Sequence, residues 1–233
     1  KKMAPHELVL GSSSITVKDG EAHLRDRRRL NPHFAGAGLK AYESGMAAAT
    51  RQAMHAWPIG EQVSFQRLMR RLTLDIIIST VFGVGDPNRF ARVREAVLRF
   101  LRIIGGAGFF TFSMVAVARG GKWEGRHRRL RLAMAAVDAL VREEIAERRA
   151  RGDLARHDVL AVLLRLQAEH SQEMTDTTIC ETMRTLLIGG YETTAASLAW
   201  TAERLARHPE VLEQLEDSVD RGEDDYVDAV VAE

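Results

Sequence analysis

Apolar residues recur at spacings of three and four through almost the whole chain, and that period commits it to helices. The pattern runs through 39–57, 63–83, 87–104, 127–152 and 157–170. Pro58 and Gly60 part the first two stretches, Gly83 ends the second, and "GGAG" at 105–108 breaks the third. A loop at "RGGKWEG" precedes the fourth. Asp19 is placed to cap a short helix over roughly 21–30 that Pro32 limits. Thr178 with Glu181 makes a capping signature for a helix near 176–207, which His208 and Pro209 close. At 1.5 Å per residue that helix spans roughly 45 Å and crosses the whole body. Pro209 suits the first turn of a further helix ending near Gly222, and "DDYVDAVVAE" begins another. Only "SITV" at 14–17 looks extended. The expectation is one all-α domain over 1–233 with little β structure, and no repeat or linker divides it.

The long helix carries a defect. In "LLIGGYETTAASLAW" at 186–200, Gly189 and Gly190 are followed by Glu192, Thr193 and Thr194 within an apolar stretch. Each glycine costs a helix about 1 kcal/mol against alanine, and a buried unpaired carboxylate costs more. Thr193 lies four residues after Gly189, so its hydroxyl can reach the Gly189 carbonyl and loosen the helix there. A glycine also lets a flat ligand or a small molecule approach the backbone. Glu192 and Thr193 then form an acid and alcohol pair able to hold a water and pass protons. The alternative is a helix crossing in which the glycines allow tight packing and Glu192 points to solvent.

A second cluster is basic. In "DGEAHLRDRRRLNPHF" at 19–34, His23 and Arg27 are four apart and offer two donors to one acidic group. Arg25, Arg28 and Arg29 fall on other faces, and, taken alone, the segment is better explained as a solvated basic helix. The balance of 33 basic against 32 acidic residues leaves no net field to draw the protein to nucleic acid or to an anionic membrane. Cys180 is the sole cysteine, which rules out a disulfide framework within the chain and suits the cytoplasm. No segment approaches the roughly 20 apolar residues of a membrane span. The chain starts without methionine, so an anchor upstream of Lys1 stays open.

Together "GGYETT" and "HLRDRRRLNPHF" resemble the cytochrome P450 family. The first matches its central-helix pattern of a small residue, glycine, any residue, acid, threonine, threonine or serine. The second matches the helix whose tryptophan or histidine and, four residues later, arginine bind a haem propionate. The likeness covers essentially the whole chain, least distinctively over 85–170. It implies that His23 and Arg27 grip the propionates of haem b, that Gly189 and Gly190 leave room over the iron, and that Glu192 with Thr193 delivers protons for oxygen activation. It implies a monooxygenase fed by a ferredoxin or flavoprotein reductase. Its substrate is a hydrophobic small molecule, held by residues around "RIIGGAGFFTFSMV" at 102–115.

One departure bears on that expectation. The family holds iron through a cysteine in a glycine-rich loop near its C-terminus, and no such loop occurs here. Cys180 precedes Gly189 by nine residues, about 13 Å along the same helix, on the wrong side for that ligand. Glu233 resembles the glutamate of the family's Glu-x-x-Arg pair, with no arginine after it. The reading is therefore a partial domain, shortened at both ends, without its own axial metal ligand and inactive by itself.

Two rivals come from other classes. "DDYVD" places Asp224, Asp225 and Asp228 where an all-helical isoprenoid synthase would bind magnesium and a diphosphate, although a helix cap accounts for the first two. A DNA-binding helical regulator would use the arginine-rich helix, and needs a second helix placed for groove docking.

Overall fold

A computed structural model describes residues 5–106 and 124–232. Among the described residues there are ten α-helices and no strand. They are α1 (Pro5–Leu10), α2 (Gly20–Phe34), α3 (Ala37–His55), α4 (Phe65–Ile77), α5 (Pro87–Ile104), α6 (Glu124–Arg151), α7 (Val159–Glu169), α8 (Asp176–Arg207), α9 (Pro209–Arg221) and α10 (Asp224–Ala232). The all-α expectation holds. Of the expected loop at "RGGKWEG" and the apolar stretch at 102–115, the part within 107–123 lies outside the described residues, as does Glu233.

Local chemistry sets most boundaries. Asp86 and Asp158 cap α5 and α7, accepting from the N–H of Arg89 at 2.8 Å and of Ala161 at 2.9 Å. α4 runs on into a π-helical turn, Ile78–Phe82, where the Ser79 and Thr80 hydroxyls both donate to the Ile76 carbonyl and draw it from the regular ladder. Gly83 then ends the segment with φ 63°, a backbone that suits glycine.

Three local expectations need correcting. "SITV" forms turns: the Ser14 carbonyl accepts from the N–H of Val17 and of Lys18, and the Ser14 hydroxyl bonds to Thr16 and to Thr185 of α8. Pro32 does not stop α2, which continues to Phe34; both Pro32 and Arg28, whose carbonyl loses its partner, are exposed to solvent there. The cap of α8 is Thr175, accepting from the Thr178 N–H at 3.2 Å. Glu181 is free for another task, and it accepts from the Ser13 N–H at 2.7 Å.

The core lies where α4 and its π turn, α5, α6, α7 and α8 meet. Ile78, Phe100, Val141, Leu163 and Met183 are each 0% exposed. Burying a side chain of this size contributes roughly 1.5–3 kcal/mol. α8 packs most extensively on α4, and the two run antiparallel. Phe65 and Leu68 share an apolar cluster with Ala199, Met69 and Leu72 share it with Ala195, and Ile77 reaches Gly190. On the N-terminal half of α8, Glu181, Arg184 and Thr185 hold the segment 9–14, with Arg184 donating to the Val9 carbonyl at 3.4 Å and Thr185 bonded to Ser14 at 2.8 Å.

Candidate functional site

α8 passes through its two glycines without a break. The adjacent residues have opposite surroundings. A Cβ built on Gly189 would meet nothing within 4 Å, whereas one on Gly190 would lie 3.2 Å from the Ile77 Cδ1. Gly190 thus serves the α4–α8 crossing, and Gly189 leaves an open face. Thr193 lies on that same face one turn on, and its hydroxyl donates to the Gly189 carbonyl, as the spacing predicts. The bond does not open the helix, because packing against α4 holds the backbone on its other side.

Glu192 is not a buried unpaired acid. Its side chain is 51% exposed, and its Oε1 accepts from Arg70 of α4, at 3.1 Å from Nε and more closely from Nη2. That hydrogen bond is the chief reason the Arg70 guanidinium is held above its ordinary value. The physical reason is rotation: successive helical residues are about 100° apart, so Glu192 faces the α4 flank when Thr193 faces the open side. Tyr191, between them and the core, is half-buried, and desolvation followed by the Glu192 charge pushes its phenol up. The packing reading therefore holds at Gly190 and for the solvent-facing Glu192, the expected loosening of the helix does not occur, and Gly189 with Thr193 leaves an open, hydroxyl-bearing face.

α2 uses one face for docking. Arg25 and Arg29 pair with Glu173, in the loop before α8, and Asp26 pairs with Lys18. Asp26, Arg29 and Leu30 line a crevice with Thr178 and Thr182, so α2 rests beside the first turns of α8. His23 and Arg27 lie roughly half a turn round from Arg25 and Arg29. His23 is half-buried and Arg27 exposed, and neither enters an ion pair among the described residues. The described cavities include neither of them, nor Gly189. From Thr182 to Gly189 is about 10 Å along the α8 axis, so the crevice beside α2 and the open face at Gly189 lie at different levels of α8.

Cys180 is fully buried on α8. Burial, then the Asp138 charge, pushes its thiol up to about 11, and the S–H points to the Asp138 carbonyl at 3.8 Å. Enclosed against α6, this thiol lies nine residues from Gly189 and so on the opposite side of α8.

The acidic rival finds no support. Asp224 and Asp225 sit in the first turn of α10, where they favour its N-terminus, and no group of three metal-binding side chains occurs among the described residues. The DNA reading loses Arg25 and Arg29, which are engaged with Glu173. Among the described residues no helix is long and apolar enough to cross a membrane.

Arg70 is the site residue that pattern reasoning missed. It stands in "QRLMRRL" beside Arg67 and Arg71, and nothing local distinguishes the three.

The comparisons with known proteins agree with one another. The family profile described as Cytochrome P450 matches residues 4–226. A putative cytochrome P450 137 of Mycobacterium tuberculosis is 33% identical over 99% of this chain and 48% of its own length. A putative cytochrome P450 135B1 of Mycobacterium bovis is 34% identical over 97% of this chain and 48% of its own length. The chain thus spans about half the length of the relatives it matches. Among solved structures, the cytochrome P450DA heme domain superposes with a TM-score of 0.73 at 27% identity, over 93% of this chain and 47% of that one. The retinoic acid bound cyanobacterial CYP120A1 shares the fold, with a TM-score of 0.71 at 19% identity over 95% of this chain and 48% of that one.

Proposed function

The chain belongs to the cytochrome P450 family, and from that premise we propose that its residues form the oxygen-handling half of a cytoplasmic haem-thiolate monooxygenase. The observation that supports this most is the open face of α8, where Gly189 meets nothing within 4 Å and Thr193 presents a hydroxyl beside it. Haem b, when bound, supplies the redox chemistry by which one atom of dioxygen enters a hydrophobic small molecule, with electrons from a ferredoxin or flavoprotein reductase.

The residues present fit that group on its distal side. His23 and Arg27 stand four apart on α2, make no described ion pair and are the donor types that bind propionates. A side chain at Gly189 would fill the space a flat ring needs. Cys180 does not fit the role of the thiolate: it is fully buried at the Asp138 carbonyl, on the side of α8 opposite Gly189.

The proton route belongs to Thr193 and Glu192. Because the Thr193 proton is committed to the Gly189 carbonyl, its oxygen offers only lone pairs to the open face. It accepts from a water and fixes where that water's second proton points. Glu192, half-exposed, exchanges protons with solvent and resupplies that water.

Two measurements test this reading. In the holoenzyme, Thr193→Ala should retain haem and substrate yet divert reducing equivalents to peroxide; unchanged coupling of oxygen uptake to product removes the residue from the route. Haem added to this chain alone should bind weakly, and its reduced carbon monoxide complex should lack the thiolate-type Soret band. A thiolate band that disappears in Cys180→Ala would overturn the assignment of the axial ligand.

A further inference from the structure

Arg67, Arg70 and Arg71 are consecutive basic residues of α4, yet only Arg70 makes a described side-chain bond. Its place is fixed by what surrounds it. Three residues on, the Thr73 hydroxyl lies 3.4 Å from the Tyr191 carbonyl, and seven residues on, Ile77 packs against Gly190. These contacts fix α4 against α8 on the N-terminal side of Glu192, and the apolar cluster of Ala195 with Met69 and Leu72 fixes it on the other. The guanidinium therefore reaches the carboxylate from a backbone that cannot slide. It does so asymmetrically: Nε and Nη2 both donate to Oε1, and Oε2 has no partner among the described residues.

We propose that Arg70 is a positioning residue for Glu192, anchoring Oε1 on the α4 flank so that Oε2 alone is left to carry and pass the proton. The inference rests on the reading of Glu192 as the acid of the proton route. Two donors on one oxygen pin that atom against α4 and narrow the arc that Oε2 can sweep, whereas an unanchored glutamate on an exposed helix face samples several rotamers. Such orientation is what general acid catalysis needs, because the proton must lie within hydrogen-bond reach of the water that takes it. Lysine at the same place would restore the charge but not the fork. The pair is exposed, with Arg70 at 43% and Glu192 at 51%, so its loss should leave folding nearly intact.

The experiment compares Arg70→Gln, Arg70→Lys, Glu192→Gln and the double variant with the wild type. In the full chain, nitrogen-15 NMR should show a slowly exchanging Arg70 Nε–H that is lost in Glu192→Gln and kept in Thr193→Ala. In the haem-loaded holoenzyme, Glu192→Gln should slow the proton-limited step by on the order of 10²-fold and raise its solvent deuterium isotope effect. Arg70→Gln should reproduce the isotope effect with a loss of up to about 10²-fold, the scale of a misplaced catalytic group. Arg70→Lys should recover part of the rate, and the double variant should be no worse than Glu192→Gln. Melting temperatures of all four should match the wild type closely. If Glu192→Gln slows the step and Arg70→Gln leaves rate and isotope effect untouched, the positioning role is wrong. If Glu192→Gln changes neither, the acid reading fails first and this inference with it.

Discussion

Gly190 and Ile77 are in contact across the α4–α8 crossing, so close that a methyl group on Gly190 would stand 3.2 Å from the Ile77 Cδ1. The neighbouring Gly189 faces open space. The two glycines of one motif therefore answer to different pressures, and substitution should separate them. Gly189→Ala should stabilise the chain by up to about 1 kcal/mol through helix propensity. Gly190→Ala should gain less, since Ile77 must shift, and Gly190→Leu should cost about 1–3 kcal/mol by overpacking. Urea unfolding of the three variants measures this. In the full-length protein, Gly189→Leu should weaken haem uptake, and the melting temperature should fall by what the bound haem contributes.

Arg148 is 2% exposed at the junction of α6, α7 and the π turn. It donates to Glu144 at 2.8 Å, to Asp158 at 2.5 Å and to the Phe82 carbonyl at 2.8 Å. Burial opposes its charge, but the bonds to Asp158 and Glu144 outweigh that and hold the guanidinium above its ordinary value. Arg148→Met should cost about 1–3 kcal/mol: the buried Phe82 carbonyl loses its donor, whereas Glu144 keeps Arg89 at 2.7 Å and Asp158 keeps Arg156 at 3.1 Å. A smaller loss would show that water already reaches the network.

Asp176, in the first turn of α8, is held below the usual carboxylate range, first by its hydrogen bond from Arg149 and next, against burial, by that from Gln167. The folded state thus favours the ionised form. Its contribution is complete above the unfolded pKa of about 3.9 and is lost as pH falls through the lower folded value. Asp176→Asn should therefore be less stable than wild type at pH 6, with the gap closing below about pH 4. Exposure of the pair keeps the effect small, and raised salt should shrink it further. Equal stabilities at pH 6 would count against it.

Cys180 should ignore thiol reagents in the native state. With its thiol at about 11 and no exposed surface, it offers neither thiolate nor access near pH 8. An aromatic disulfide reagent should find no thiol in buffer and one per chain in denaturant. Fast native labelling would show that the α6–α8 contact opens readily.

The Thr193–Gly189 bond was legible in advance because both ends lie on one helix, four residues apart, where geometry alone brings them together. The same holds for the run of helices, for the proline that opens α9 and for Gly83 and Gly222 at left-handed ends. The family motifs were legible for a related reason, since each fits within a single helix. Caps were less secure: Thr175 and Thr178, three apart, carry the same local signal, and the fold uses the first.

What the sequence by itself determined is what a 3.6-residue period and its breakers can encode: nine of the ten described helices, all but the short α1, their rough ends, and which residues share a face. Which face meets which was decided only in the tertiary structure. Glu192 finds Arg70 across 122 positions, Gly190 finds Ile77, and Arg148 reaches the Phe82 carbonyl from 66 residues away. A helix carries its own periodicity but not its crossing angle or register against a partner, and these come from how ridges and grooves of two remote segments interlock. That is why Glu192, expected as a buried acid, became a half-exposed carboxylate anchored by an arginine that no local pattern marks.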